Sequence, residues 1–420
     1  MTEQKIISLS RGELTLRYQT TADYQLDDLL GFAERINPKR AFLFVSKVLG
    51  RHIPVSPDKM RQAFTQLATL IPDDLPEPIV VIGMAETAVG LSAGVHQVLQ
   101  ARYPQAILLN STRHAQAGEL FTTFSEDHSH ASVHLIYQSD DSALQANVEN
   151  AKTLIMVDDE ASTGNTCQNV VNALRQAGMS KLEQVHLATL VDWSLGKKLG
   201  KKDGNIFNDI AFFRHHLLAG DWTWTDKVNA PAVTMPNVST TEAGSQPLLP
   251  TGDWGRQPTR DSTSGLDFLL QGLHHTLSQR QLTLASFAHQ KILVLGSNEF
   301  VWLPLLLAER LAQYQADVKF SALTRSPIAI HADSAVTSVI KFFDHYGLGM
   351  TNFVYNVTPE AWDWVLLCVE TPQDSVDEIW QRFDNVMVIS PSPETLHSKS
   401  DNQKSKPKTQ NPISHKIDKS

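Results

Sequence analysis

The chain of 420 residues has only two cysteines, Cys167 and Cys368, far apart and without metal-ligand spacing. That scarcity excludes a disulfide framework and implies a reducing, cytoplasmic setting. No apolar run is long enough to span a bilayer. The N-terminus is polar and of mixed charge, so neither a signal peptide nor a membrane partner is expected. A cationic excess is also missing: the net charge is −9, which argues against binding nucleic acid or a membrane surface. There is no internal repeat, no helix-turn-helix and no basic face. Gly296-Ser297-Asn298-Glu299 is a strand-to-helix turn, but it lacks the glycine spacing of a dinucleotide fingerprint. The hydrophobic content of 42% is enough for real cores, and the length suits two or three domains.

What is present is concentrated in one stretch. Leu154-Ile-Met-Val157 is followed by Asp158, Asp159 and Glu160, then by Ala161, Ser162, Thr163, Gly164, Asn165 and Thr166. So uniform an apolar run reads as a buried parallel strand. Ligands of open α/β sheets sit outside the carboxyl ends of such strands, where the two aspartates fall. An ionised carboxylate only accepts hydrogen bonds, so Asp158 and Asp159 suit the vicinal hydroxyls of a ribose. Ala161 to Thr166 lack bulk, and their backbone N–H groups can close around a phosphate. A helix over 168–176 would add its positive dipole end. A response-regulator receiver also has paired acids at a strand end, but near its N-terminus, and the Ser-Thr-Gly-Asn-Thr string has no role there. The plainer alternative is a buried strand ending in a polar turn with capping residues. The stretch as a whole resembles the 5-phosphoribosyl-1-diphosphate (PRPP) binding motif of type I phosphoribosyltransferases.

Along the chain, residues 1–75 form a mixed lead-in, with a strand-like piece at Glu13 to Tyr18 and a helical stretch after Asp58. Between them, an apolar segment is bracketed by Lys39, Arg40, Lys47 and Arg51. It fits an amphipathic helix with solvated ends, or a segment whose cations face ligand phosphates. An α/β rhythm follows, with strands at 79–82, 106–109, 134–137, 152–157 and 184–193 and a helix over 87–101. Residues 229–264 are rich in Pro, Thr, Gly and Ser and read as a linker or a long surface excursion. A second α/β unit has strands beginning at Lys291, Val318, Trp364 and Val386 and a helix over 300–315. The expected organisation is therefore a first domain over 1–228, a linker over 229–264, a second domain over 265–390 and a disordered tail over 391–420.

Three further constellations carry chemistry. The turn Gly83-Met84-Ala85-Glu86-Thr87 follows the first core strand, and its small residues permit close approach of backbone to an anion. Glu86 is unexpected there unless a cation lies between it and the anion; it is also what a helix dipole favours at an N-terminus. Arg113, after the next strand, can chelate diphosphate oxygens with its fork. The segment 121–131 holds Glu126, Asp127, His128 and His130. It lacks a third convincing metal ligand nearby, and either histidine suits proton transfer or anion binding; a solvated polar loop is the alternative. Phe213 to Trp222 offers aromatic and histidine side chains for a planar base, or ordinary surface and packing groups.

The resemblance gives these pieces roles. It implies a diphosphate loop over Met84, Ala85, Glu86 and Thr87, a lid over 121–131, and Asp158, Asp159, Arg113, His128 and His130 as catalytic candidates. It implies a 5′-phosphate cradle from Ala161 to Thr166. Thr324-Arg325-Ser326-Pro327 resembles the signature of the TRSP domain, which accompanies an orotate-phosphoribosyltransferase-like branch met beside tellurium-resistance and stress genes. Val294 to Phe300 and Phe342 to Gly347 are similar to that branch too. The expected fold is a type I phosphoribosyltransferase-like parallel-sheet domain followed by a smaller α/β TRSP domain. The implied activity transfers phosphoribose from PRPP, with Mg²⁺, to an unidentified base-like acceptor. A non-catalytic PRPP sensor is the alternative. Thr324, Arg325 and Ser326 are candidates for binding the acceptor. No metal-ligating residue is assigned, and type I enzymes are commonly homodimers.

Overall fold

The computed structural model describes residues 2–20, 24–125, 133–195, 206–207, 209–234 and 244–391. Its largest sheet runs in the order Glu3–Ser8, Gly12–Thr20, Ile210–Asp226, Gln184–Asp192, Thr153–Ala161, Ile79–Gly83, Ile107–Leu108. The last five of these strands are mutually parallel. The N-terminal hairpin adds two antiparallel strands at the edge, and Ile206–Phe207 pairs with the start of Ile210–Asp226.

The central strands are apolar throughout because both faces are covered. Val81, Ile155 and Val157 join one core with Phe64, Leu91 and Val95 from helices Pro57–Thr69 and Val89–Leu99. Val80, Ile82, Leu154 and Met156 face the other way, onto Leu144, Val170 and Leu174 from helices Ser142–Glu149 and Asn165–Ala177. This alternation is the two-residue period of a strand.

The C-terminal unit has a four-stranded parallel sheet ordered Asp317–Leu323, Lys291–Ser297, Trp364–Cys368, Val386–Ile389. One face, including Ile292, Val294 and Leu366, belongs to the same continuous core as the first sheet. Helix Trp302–Ala312 meets helix Pro57–Thr69 there: Arg61 lies over the Trp302 ring at 4.8 Å, and its Nη2 donates to Glu309 Oε2 at 2.9 Å. Backbone pairing joins the units too, because strand Leu30–Arg35 pairs with Phe42–Ser46 on one side and Ile328–Ala329 on the other.

Two segments differ from the sequence reading. The cation-bracketed stretch holds the second strand of a hairpin rather than a helix; Phe42–Ser46 is buried at every position and pairs with Leu30–Arg35, and periodicity alone does not separate such a run from a buried helix segment. Within the stretch read as a linker, Leu108 and Thr259 form an antiparallel bridge and Asn110 N–H donates to Gly255 O at 2.5 Å. Residues 255–259 therefore cover the edge of the first sheet. Gly255 has φ +110°, and a Cβ there would lie 2.7 Å from Asn110 Nδ2, so the glycine reflects a close approach. Among the described residues, no helix is long and apolar enough to cross a membrane. The proposed tail lies outside the described residues from 392 onward.

Candidate functional site

The site is built at the carboxyl ends of the parallel strands. Thr153–Ala161 carries Asp158, Asp159 and Glu160 past its buried half, with Asp158 in register with Thr189. Asp159 N–H donates to Asp158 Oδ1 at 2.9 Å. Burial, and then the neighbouring Glu160, push the Asp159 carboxyl up to about 6. Glu160 itself is held: Arg40 Nη1 and Nη2 donate to its two oxygens at 2.9 and 3.3 Å, and Trp193 Nε1 donates at 3.2 Å. The Arg40 guanidinium also lies 4.8 Å over the Phe42 ring. It thus fixes the acid next to the aspartate pair.

The strand reaches Ala161, whose carbonyl accepts from Trp193 N–H at 2.7 Å. Ser162 and Thr163 follow, and Gly164 turns the chain at φ +83°, in the left-handed region that favours glycine. Helix Asn165–Ala177 then starts without a side-chain cap at Gly164; Asn165 N–H donates to Thr163 Oγ1 at 3.3 Å, and an α-helix leaves the further N–H groups of its first turn without intrahelical partners. It begins three residues earlier than expected, which places Asn165 and Thr166 in its first turn. Arg214, on Ile210–Asp226, one strand beyond Gln184–Asp192, braces the turn: its Nη2 donates to Thr163 O at 3.5 Å and its Nη1 to Asp192 Oδ2 at 2.8 Å. Cys167, just behind, is buried, and its thiol is pushed up to about 12; it is a packing residue.

The 83–87 turn lies at the end of the adjacent strand. A Cβ on Gly83 would lie 2.1 Å from Ser92 Oγ, and Gly83 N–H donates to Asn110 Oδ1 at 3.0 Å. Met84 and Ala85 are buried, Ala85 N–H donates to Ser111 Oγ at 3.0 Å, and the Ala85–Glu86 peptide is cis. The Glu86 carboxylate does not stand alone in front of an anion. Arg325 Nε donates to its Oε1 at 2.6 Å, and Arg51 lies 4.0 Å from its other oxygen. Burial pushes this acid up, but Arg325, Arg51 and Arg113 outweigh it and hold the carboxyl at about 2. Arg113 follows the next strand; its backbone N–H donates to Glu299 at 2.7 Å, and its Nη2 lies 3.5 Å from His134 Nε2.

The structure therefore brings together Asp158, Asp159, the Ala161–Thr166 turn, the Met84–Thr87 turn and Arg113 along one sheet end. His128 and His130 lie outside the described residues. The arms that flank them are strands Leu120–Ser125 and Val133–Tyr137, paired antiparallel, with Phe124 stacked on His134 at 4.8 Å. Of the four bracketing cations, Arg40 and Arg51 are engaged as described, and Lys47 Nζ donates to Asp27 O at 2.8 Å. In the 213–222 stretch, His215 Nε2 lies 2.9 Å from His186 Nδ1, and Trp222 packs 4.9 Å from Phe42. Thr324 and Ser326 serve the local backbone: Ser326 N–H donates to Thr324 Oγ1 at 3.1 Å, and Ser326 O accepts from Tyr355 OH at 2.8 Å.

Sequence reasoning missed Arg35. It ends strand Leu30–Arg35, beside Ile328. Its guanidinium, shifted below the ordinary value by burial and then by Arg40, feels Glu160, Asp159 and Arg113 as well. It belongs to the charged lining of the site. The only signal for it was a third cation close before Lys39 and Arg40. Among the described residues, no three His, Cys, Asp or Glu side chains converge to hold a metal ion.

Comparison with known proteins adds the following. Residues 29–206 match a family described as phosphoribosyl transferase, and residues 251–383 match the "TRSP domain C terminus to PRTase_2". No curated protein matches the chain. Among solved structures, adenine phosphoribosyl transferase from Trypanosoma brucei is 12% identical, covers 45% of this chain and 76% of its own, with a TM-score of 0.32. The adenine phosphoribosyltransferase of Leishmania tarentolae is 13% identical over 46% of this chain and 84% of its own, with a TM-score of 0.32.

Proposed function

We infer that this chain, which carries a phosphoribosyl transferase domain over residues 29–206 followed by a TRSP domain over 251–383, transfers 5-phosphoribose from PRPP to a nitrogenous base or related acceptor and releases diphosphate. The observation that carries this reading is the run of Asp158 and Asp159 into the uncapped Gly164 helix start, beside the 83–87 turn, at one sheet end. A phosphorylated ribose with an anionic group on C1 offers a diol, a phosphate and a second anion to these three features.

In that reaction the bond from C1 to the diphosphate oxygen breaks as positive charge builds on the ribose ring. A nitrogen lone pair then forms the new bond on the opposite face. The protein's part is to bind, orient and exclude water. Asp158 and Asp159 accept hydrogen bonds from the two ribose hydroxyls, and their charge faces the cationic ring. The first-turn amides after Gly164 take the 5′-phosphate. Arg113 and Arg35 face the departing diphosphate. Mg²⁺, arriving with the substrate, would be held near Asp158 and Asp159 and would supply positive charge that offsets the charge of the leaving group.

The test is diphosphate release from PRPP and Mg²⁺ with a panel of nucleobases and then a metabolite extract as acceptors. The Asp158→Asn/Asp159→Asn protein serves as control. Release that requires one acceptor and vanishes in the control supports the transferase and identifies the acceptor. Tight PRPP binding without release under any acceptor would replace it with the sensor reading.

A further inference from the structure

The turns at the carboxyl ends of the two parallel sheets meet. From the C-terminal sheet come Asn298 and Glu299, after Lys291–Ser297, and Thr324 and Arg325, after Asp317–Leu323. From the first sheet come the 83–87 turn and the segment 110–113. Arg325 Nε donates to Glu86 at 2.6 Å. Arg51 Nη2 donates to the Glu86 carbonyl at 2.5 Å, while its Nη1 donates to the carbonyls of Asn298 and Leu323 at 2.8 and 3.1 Å. The Glu299 carboxylate accepts from Thr112 Oγ1 at 2.5 Å and from Arg113 N–H at 2.7 Å. Both segments assigned to the diphosphate end are thus held by charged groups of the C-terminal unit.

We propose that Arg325 is a positioning residue for the diphosphate end of the site, and that the C-terminal unit tunes affinity for that part of the ligand. The proposal rests on the PRPP reading above. Arg325 neutralises Glu86 and fixes the turn that carries it. Without Arg325, which donates directly to it, a buried carboxylate would stand beside an incoming polyanion with only Arg51 and Arg113 to offset it, and like charges at short range in a poorly solvated site repel strongly. The 5′-phosphate and ribose contacts at Asp158–Thr166 belong to another strand and turn, so they should not sense the change.

The experiment is calorimetric titration of the full chain with PRPP and, separately, with ribose 5-phosphate, each with Mg²⁺. Arg325→Met should weaken PRPP binding about ten- to hundred-fold, the loss of a charge-assisted contact, and leave ribose 5-phosphate binding unchanged. Arg325→Lys, which keeps the charge, should recover much of the PRPP affinity. So should Glu86→Gln/Arg325→Met, which removes the repelling carboxylate. Arg61→Met loosens the contact between the units away from the turn and should leave both ligands unaffected. Unaltered PRPP affinity in Arg325→Met, or a parallel fall for both ligands, overturns the proposal while the PRPP reading stands. Wild-type protein that binds neither ligand overturns both. If Arg325→Met does not fold, Arg325→Gln takes its place; unaltered PRPP affinity there, or a parallel fall for both ligands, overturns the proposal.

Discussion

Arg256, from the segment that looks like a linker, is the cation between two buried acids. Its Nη1 and Nη2 donate to the Glu370 oxygens at 2.7 Å each, and its Nη2 reaches Glu299 Oε2 at 3.4 Å. Both acids are 1% exposed. Arg256→Met keeps an apolar stem but removes the guanidinium, which lies 4.6 Å over the Trp254 ring, and strands two carboxylates in the interior. Breaking a buried pair from one side costs about 3–5 kcal/mol. At an m-value of about 3 kcal/mol/M, that is a fall of roughly 1–2 M in the urea midpoint followed by tryptophan fluorescence. The deficit also has a pH signature. In the wild type, burial pushes both acids up, but positive neighbours, chiefly Arg256 for Glu370 and His114 with Arg256 for Glu299, bring them below the ordinary value. Their contribution is therefore complete above the unfolded carboxylate range and is lost as pH falls through it. In the variant, burial dominates and the folded pKa values rise, so stability is lost as pH increases. The difference between the proteins should widen from about pH 5 to about pH 8. A loss under about 1 kcal/mol, or a deficit that does not change with pH, would refute the idea that this segment locks the two units through charge.

Other outcomes follow from the site. The Asp159 carboxyl sits at about 6 because of burial and then Glu160, so the ionised acceptor for ribose hydroxyls forms only as pH rises through that value. Ribose 5-phosphate binding should strengthen more steeply from about pH 5 to about pH 7 in the wild type than in Asp159→Asn. The second ionisation of the phosphate, near 6, acts on both proteins, and equal slopes would remove Asp159 from the ribose. Gly164→Ala places a side chain at φ +83°, costs about 1–2 kcal/mol and narrows the cradle. Ribose 5-phosphate affinity should fall with unchanged far-ultraviolet circular dichroism; unaltered affinity would mean that the phosphate lies elsewhere.

The sequence by itself determined the local parts. Uniform apolar runs at 79–82 and 154–157 specify parallel strands, because only a strand buried on both faces tolerates such a pattern. Two acids, then small residues and Gly164, specify a turn into a helix, because backbone conformation there depends on near neighbours. Strand Ile210–Asp226 was not legible, since its histidines and Arg214 break the apolar alternation and meet partners distant in sequence: His215 meets His186, and Arg214 donates to Asp192 and Thr163. The role of Glu86 was equally hidden: taken locally it opposes an anion, and its partner Arg325 lies 239 residues away. Arg40 reaches Glu160 across 120 residues. Such pairings arise when two sheets share a core and their carboxyl-end turns are brought face to face. Local sequence sets period and turn conformation, whereas which buried charge meets which is decided by tertiary packing, because an ion pair depends on distance in space and not along the chain.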